Sequence, residues 1–221
     1  MSHAIQTQLL SKQFANGVTA LSDISISIRQ GEFIALVGRS GSGKSTLMNI
    51  IGGLDSPTAG SVSINGDIVN YRDRKNLIDL RRSHVGFVFQ QFNLIPSLNA
   101  RENVAYPLLF NYVTREERNL RAARLLALVG LGERADHLPH QMSGGEQQRV
   151  AIARAMVGNS SIILADEPTG NLDSKTSTEI YELMRSVNKE RNVTFVIVTH
   201  ERDLASYCDR TIELSDGKVV P

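Results

Sequence analysis

Four short runs of the chain are apolar without alternation: Phe33–Val37, Val85–Phe89, residues 162–165 and Thr194–Val198. Runs of this length, bounded by turn residues and separated by helical patterns, predict strands buried on both faces, hence a mostly parallel sheet covered by helices. Residues 5–9, 24–28 and 62–64 follow another pattern, shorter and alternating between Gly and Asn turns, which predicts an antiparallel β region beside the main sheet. From Gln91 to Asn159 the pattern turns helical. Thr114 with Glu117 and Ser143 with Glu146 are capping-box candidates. The first opens a helix that stops at Gly130, and the second opens an amphipathic run through Val157. This stretch lies between two core strands. The expected organisation is therefore a single α/β domain over 1–221: residues 1–90 and 160–221 form the core with its antiparallel β subdomain, and 91–159 form a helical subdomain insert. The tail, residues 210–220, reads as a closing hairpin turning at Asp216-Gly217.

Composition narrows the classes without choosing one. With 221 residues the chain can bury a proper core. Lys and Arg number 24 against 23 Asp and Glu, a balance that offers no field for nucleic acid or an anionic membrane surface, so no nucleic-acid partner is expected. No stretch approaches a membrane span, and the N-terminal residues lack the apolar segment and cleavage site of a secretion signal. A membrane role would need another chain to supply the membrane part. The lone Cys208 cannot form an internal disulfide and fits a reducing compartment. His84, His137 and His140 lack further ligands at metal-site spacing and read as surface or structural.

Chemistry enters at residues 38–46, GRSGSGKST. Gly38, Gly43, Lys44 and Ser45 fill the Walker A pattern, after an apolar strand and ahead of a helical run. Such a loop turns successive N–H groups of Arg39, Ser40, Gly41, Ser42 and Thr46 toward phosphate oxygens, and the helix start adds its positive end. Lys44 supplies a charge for the β- and γ-phosphates, and Ser45 a hydroxyl for Mg²⁺. A second apolar strand ends in Asp166-Glu167. Asp166 fits the carboxylate that orients Mg²⁺, and Glu167 is then placed to polarise an attacking water. The expected core is that of a P-loop NTPase using ATP and Mg²⁺.

A third feature selects among such enzymes. Residues 141–149, QMSGGEQQR, resemble the signature of ATP-binding cassette (ABC) proteins, with Met142 where leucine is usual. A Ser and two Gly at a helix start leave N–H groups for a second anion site, here Ser143, Gly144, Gly145 and Glu146. The resemblance extends in order along the chain. Gln90 stands at the Q-loop position, with a role in catalysis and at the metal. Asn171-Leu172-Asp173 resembles the D-loop, His200 the switch histidine, and Phe14 takes the place of the aromatic residue that stacks on adenine.

The resemblance implies an ATP-hydrolysing subunit working as a head-to-tail dimer, with each nucleotide between the Walker A of one copy and the signature of the other. It implies a second partner too, an integral membrane permease subunit docked through a groove near Gln90, which would put the chain at the cytoplasmic face of the membrane as a peripheral protein. Residues 92–104, 142–155 and 165–174 look most like the lipoprotein-release and macrolide-export subgroup, with cell-division and non-transport ABC ATPases as alternatives. A DNA- or ribosome-directed ABC ATPase would usually carry a coiled-coil insert, zinc-binding cysteines or tandem cassettes, and none is seen here. A GTPase should carry an N-K-x-D motif, also absent.

Overall fold

The computed structural model describes residues 2–199 and 206–220. The chain opens with β1 (His3–Gln13), β2 (Thr19–Ile24), β3 (Ser27–Arg29) and β4 (Phe33–Val37), then α1 (Lys44–Ile51), β5 (Ala59–Ile64), β6 (Asp67–Ile68), α2 (Arg74–Ser83) and β7 (Val85–Phe89). Helices α3 (Ala100–Ala105), α4 (Arg115–Leu128) and α5 (Gly144–Met156) follow, with a 3-10 turn at Tyr106–Asn111 between the first two. The chain closes with β8 (Ile162–Asp166), α6 (Ser174–Arg191), β9 (Thr194–Val198), β10 (Arg210–Ser215) and β11 (Lys218–Val219).

Among the described residues, the main sheet runs β11-β10-β4-β9-β8-β7 and is parallel from β10 to β7, with β11 antiparallel at its edge. Its alternating side chains feed two cores. Phe33, Ile163, Ala165, Phe195 and Ile197 face α5, α6 and the helical stretch. Ile34, Leu36, Ile162, Leu164, Val196 and Val198 face α1 and the antiparallel sheet. Covering both faces explains why β9 is buried at every position and carries no polar alternation.

The antiparallel region departs from its expected outline. The expected strand over 24–28 is two strands, because β1 changes partner along its length: β2 pairs with Leu10 to Gln13 and β3 with His3 to Gln6. At the change, Leu9 adopts φ 44°, and side chains fill the gap in the ladder. Thr7 Oγ1 donates to the Ile24 carbonyl and accepts from Ile26 N–H, while Ser25 Oγ accepts from Leu9 N–H. The helices opened by Thr114 and Ser143 start where the sequence places them. Thr114 Oγ1 accepts from Glu117 N–H, and the Ser143 box closes in both directions. Asp216 and Gly217 make the turn of the β10–β11 hairpin, both at positive φ.

Candidate active site

The C-terminal ends of β4, β8 and β7 converge on one edge of the main sheet, the place where open parallel sheets bind ligands. After Val37 the chain must reverse within a few residues to start α1. Gly38 takes φ 147° with its Cα against the Leu214 carbonyl, where a Cβ would sit 2.1 Å from that oxygen. Gly43 caps α1 in the left-handed region at φ 103°. The buried Leu47, Met48, Ile50 and Ile51 then anchor the helix, so its N-terminus is held facing the loop.

Lys44 folds back into this loop. Its ammonium, on a residue 7% exposed, donates to the carbonyls of Gly38 at 2.8 Å and Arg39 at 2.9 Å. Beside it the buried Ser42 Oγ has no hydrogen-bond partner among the described residues. A buried cation resting on neutral oxygens and an unsatisfied hydroxyl, at a helix start with no acidic residue in its first turn, fit a polyphosphate. The cavity over the loop measures about 410 Å³ and is lined by Gly38, Ser40, Gly41, Gly43, Lys44, Ser45, Thr46 and Glu167, with Phe14, Val18, Thr19 and Ala20 at its other side. Phe14 lies at the β1–β2 turn, 41% exposed, with Lys12 Nζ 5.2 Å above its ring.

A second cavity of about 380 Å³ adjoins the first through Ser45 and Glu167 and adds Phe89, Gln90, Gln91, Asn93 and Asp166. Ser45 Oγ donates to Asp166 Oδ1 at 3.4 Å. Burial pushes the Asp166 carboxyl up from its ordinary value; the Ser45 bond opposes this, the Glu167 charge adds to it, and Lys44 opposes it weakly. A carboxylate short of positive charge, a hydroxyl and an amide around one polar cavity are oxygen donors suited to Mg²⁺. Glu167 stands at φ 45° with its N–H on the Val198 carbonyl, a strained backbone at the strand end, and the residue lines both cavities.

Gln90 does not stand alone. Its amide donates to Asn171 Oδ1 at 3.3 Å, and Asn171 Nδ2 returns a bond to the Gln90 carbonyl at 3.0 Å. Sequence reading placed Asn171 in the D-loop without a role, and nothing in the sequence signals this pairing. The buried Gln148, whose Nε2 donates to the Pro168 carbonyl, ties α5 to the same loop and was also missed.

Not every expected site residue is gathered here. Ser143, Gly144, Gly145 and Glu146 line neither cavity. They form the first turn of α5, where Ser143 and Glu146 cap each other and the first N–H groups have no helical acceptor. Asp173 is the N-cap of α6, its carboxylate accepting from Thr176 N–H and Oγ1, bonds that hold it below the usual carboxylate range. Thus the starts of α1 and α5 lie apart within one chain. His200 lies outside the described residues.

Residues 21–170 match the family described as ABC transporter. The chain belongs to that family. This cassette is 52% identical over 206 residues to the uncharacterized ABC transporter ATP-binding protein MJ0796 of Methanocaldococcus jannaschii, covering 91% of this chain and 88% of the relative. The lipoprotein-releasing system ATP-binding protein LolD of Geobacter metallireducens is 49% identical over 100% of this chain and 99% of its own. The macrolide export ATP-binding/permease protein MacB 2 of Yersinia pestis bv. Antiqua is 45% identical over 98% of this chain; the cassette spans 32% of that relative's length. LolD and MacB match the lipoprotein-release and macrolide-export subgroup. Among solved structures, a dimeric post-hydrolysis state of the ATP-binding cassette MJ0796 bound to ADP and Pi superposes with a TM-score of 0.88 at 46% identity, covering 98% of this chain and 97% of that one. The cassette is an ABC-type ATPase with the α/β architecture expected from its sequence. Among the described residues, no helix is long and apolar enough to cross a membrane.

Proposed function

We propose that the cassette binds ATP with Mg²⁺ and hydrolyses it to ADP and phosphate at a site shared by two copies of the chain, and that this cycle drives a separate membrane permease subunit. One observation carries the reading. The loop around Lys44 opens onto the Asp166-Glu167 strand end, whereas the Ser143 helix start lies outside both cavities on the same chain.

Phe14 stacks on the adenine, and the N–H groups of residues 38–46 with Lys44 hold the phosphates. Ser45, Asp166 and Gln90 would hold Mg²⁺, which would supply positive charge against the phosphates. Glu167 accepts a proton from water as its oxygen attacks the γ-phosphorus, and the bond to the ADP oxygen breaks. Lys44, with His200 in the switch position, stabilises the charge that gathers on the γ-phosphate oxygens. The Ser143–Gly145 helix start of a second copy docks on that phosphate, with Asp173 at the same junction. ATP then holds the dimer closed, and hydrolysis removes the bridge.

For the permease, a groove of about 540 Å³ beside Gln90 is the docking place. Phe87, Phe89, Tyr106, Pro107 and Phe110 give it apolar walls, and Arg154 lines it beside Asn93. The helical stretch 91–159 forms one side and acts as a subdomain. Such a partner keeps the cassette peripheral, at the cytoplasmic face of the cell membrane. The resemblance to LolD and MacB supports a lipoprotein, macrolide or peptide-like amphiphile as cargo. Glu167→Gln tests the core of the reading. It should keep ATP affinity, lose roughly a hundredfold or more of turnover, and accumulate an ATP-bound dimer in size-exclusion chromatography. Unchanged turnover would remove Glu167 from the role of base.

A further inference from the structure

The segment after β7 crosses between the groove and the metal-side cavity, and Phe89 and Asn93 line both. Its backbone is strained where it crosses. Phe92 at φ 55° and Asn93 at φ 49° are consecutive left-handed residues without a glycine between them. Asn tolerates that region, but for a bulky Phe it is an outlier that persists only when the surroundings impose it.

The imposing group is Arg154, on the last turn of α5. One guanidinium arm donates to the Phe92 carbonyl at 2.7 Å and the other to the Asn93 carbonyl at 2.5 Å. Both acceptors are neutral, and burial holds the guanidinium below its ordinary value. A partly desolvated cation bonded to carbonyls gains most when the two carbonyls are presented together, which the paired left-handed residues do. The Phe92 ring meanwhile lies against Gly144, where an added Cβ would be 3.6 Å from Cζ. One end of the crossing is therefore pinned through Asn171 to the loop after β8, and the other through Arg154 and Gly144 to the signature helix.

We infer that Arg154 is a positioning residue for Gln90: its fork fixes the strained Phe92–Asn93 crossing, and so ties the signature helix and the groove to the metal-side cavity. The arginine touches neither nucleotide nor metal in this assignment. It acts on the residue that does. The metal side of the inference rests on the reading of the cavity as a Mg²⁺-ATP site; the backbone side does not.

The test separates the two. Arg154→Met fills a similar volume without donors, and exchanging a partly buried cation for an apolar residue need not unfold the chain. In the nucleotide-free protein, hydrogen exchange at the amides of 92–94 should quicken by about tenfold or more, with the middle of α5 still protected. In turnover assays, the Mg²⁺ concentration for half-maximal rate should rise about tenfold, while affinity for ATP without metal stays within about twofold. Arg154→Lys, which keeps charge and loses the fork, should fall between wild type and Arg154→Met in both measurements. Faster exchange with wild-type metal dependence would refute the link to Gln90, and unchanged exchange would refute the clamp itself, even with a lowered melting temperature. If the wild-type protein does not hydrolyse ATP, the functional reading fails and the exchange data still decide the clamp.

Discussion

At the scale of single residues, Lys44 is a cation held nearly out of solvent by two carbonyls and a helix start. It gains little from that company until an anion arrives. Lys44→Ala should therefore weaken nucleotide binding itself, by about 2 kcal/mol or roughly thirtyfold in Kd, the scale of a charge-assisted contact. Calorimetric titration with ATP measures it, and affinity equal to wild type would detach Lys44 from the phosphates. Asp209 shows the opposite economy, a charge used for the fold. Its carboxylate accepts from Arg185 and from Phe33 N–H, and the Arg185 bond holds its carboxyl below the usual range. Because the folded value is depressed, the stabilisation is complete above the unfolded value near ~3.9 and is lost as pH falls through the folded one. The side chain is 39% exposed, so solvent screens the pair. Asp209→Asn should cost up to about 1 kcal/mol at pH 7 in urea unfolding. The gap to wild type should narrow as pH falls through the depressed native value, once the native carboxyl is also protonated; a gap independent of pH would show that the lost contact is not the ionised one.

At the scale of elements, the loop between β4 and α1 works because two glycines let the backbone touch its neighbours. A Cβ on Gly43 would meet the Ala20 carbonyl at 2.5 Å and Leu21 Cδ2 at 2.9 Å, with φ already at 103°. Gly43→Ala should push the helix start off β2 and abolish ATP binding, with a stability loss of about 1–3 kcal/mol. Binding at wild-type affinity would mean the loop is less tightly determined than its contacts imply. Elements of this kind were legible in the sequence because the chemistry is contiguous: a buried strand, then the residues that leave it. Phe33 to Thr46 and Ile162 to Glu167 could each be read within one window. The capped starts of α4 and α5 were legible for the same reason. What the sequence hid are choices made across the fold. Strand 24–28 split because β1 bends at Leu9 and offers a different partner on each side of the bend. The Gln90–Asn171 pair joins residues 81 apart, and Arg154 reaches a carbonyl 62 residues back, with no periodicity or motif to announce either contact.

At the scale of the whole molecule, the separate helix starts of α1 and α5 pose a geometric question. Within one chain, α1 begins at the cavity with Lys44, Asp166 and Glu167, while α5 begins against Leu172, Thr176 and Phe92, outside it. The N–H groups that a helix start leaves uncapped are satisfied only by water or an added acceptor, best a negatively charged one. A second copy related by a two-fold axis would bring each Ser143 start to the other copy's Lys44 cavity, satisfying both ends twice with one operation. A mixed dimer tests this arithmetic. When one subunit carries Ser143→Arg and the other Lys44→Ala, both defects fall on the same one of the two sites, and the remaining site keeps an intact P-loop and an intact signature. That dimer should retain about half of the wild-type turnover if the sites work independently, whereas placing both substitutions in one subunit damages one element of each site and should abolish it. If the order is reversed, with activity retained only when both substitutions sit in one subunit, the signature serves its own chain and the composite site is wrong.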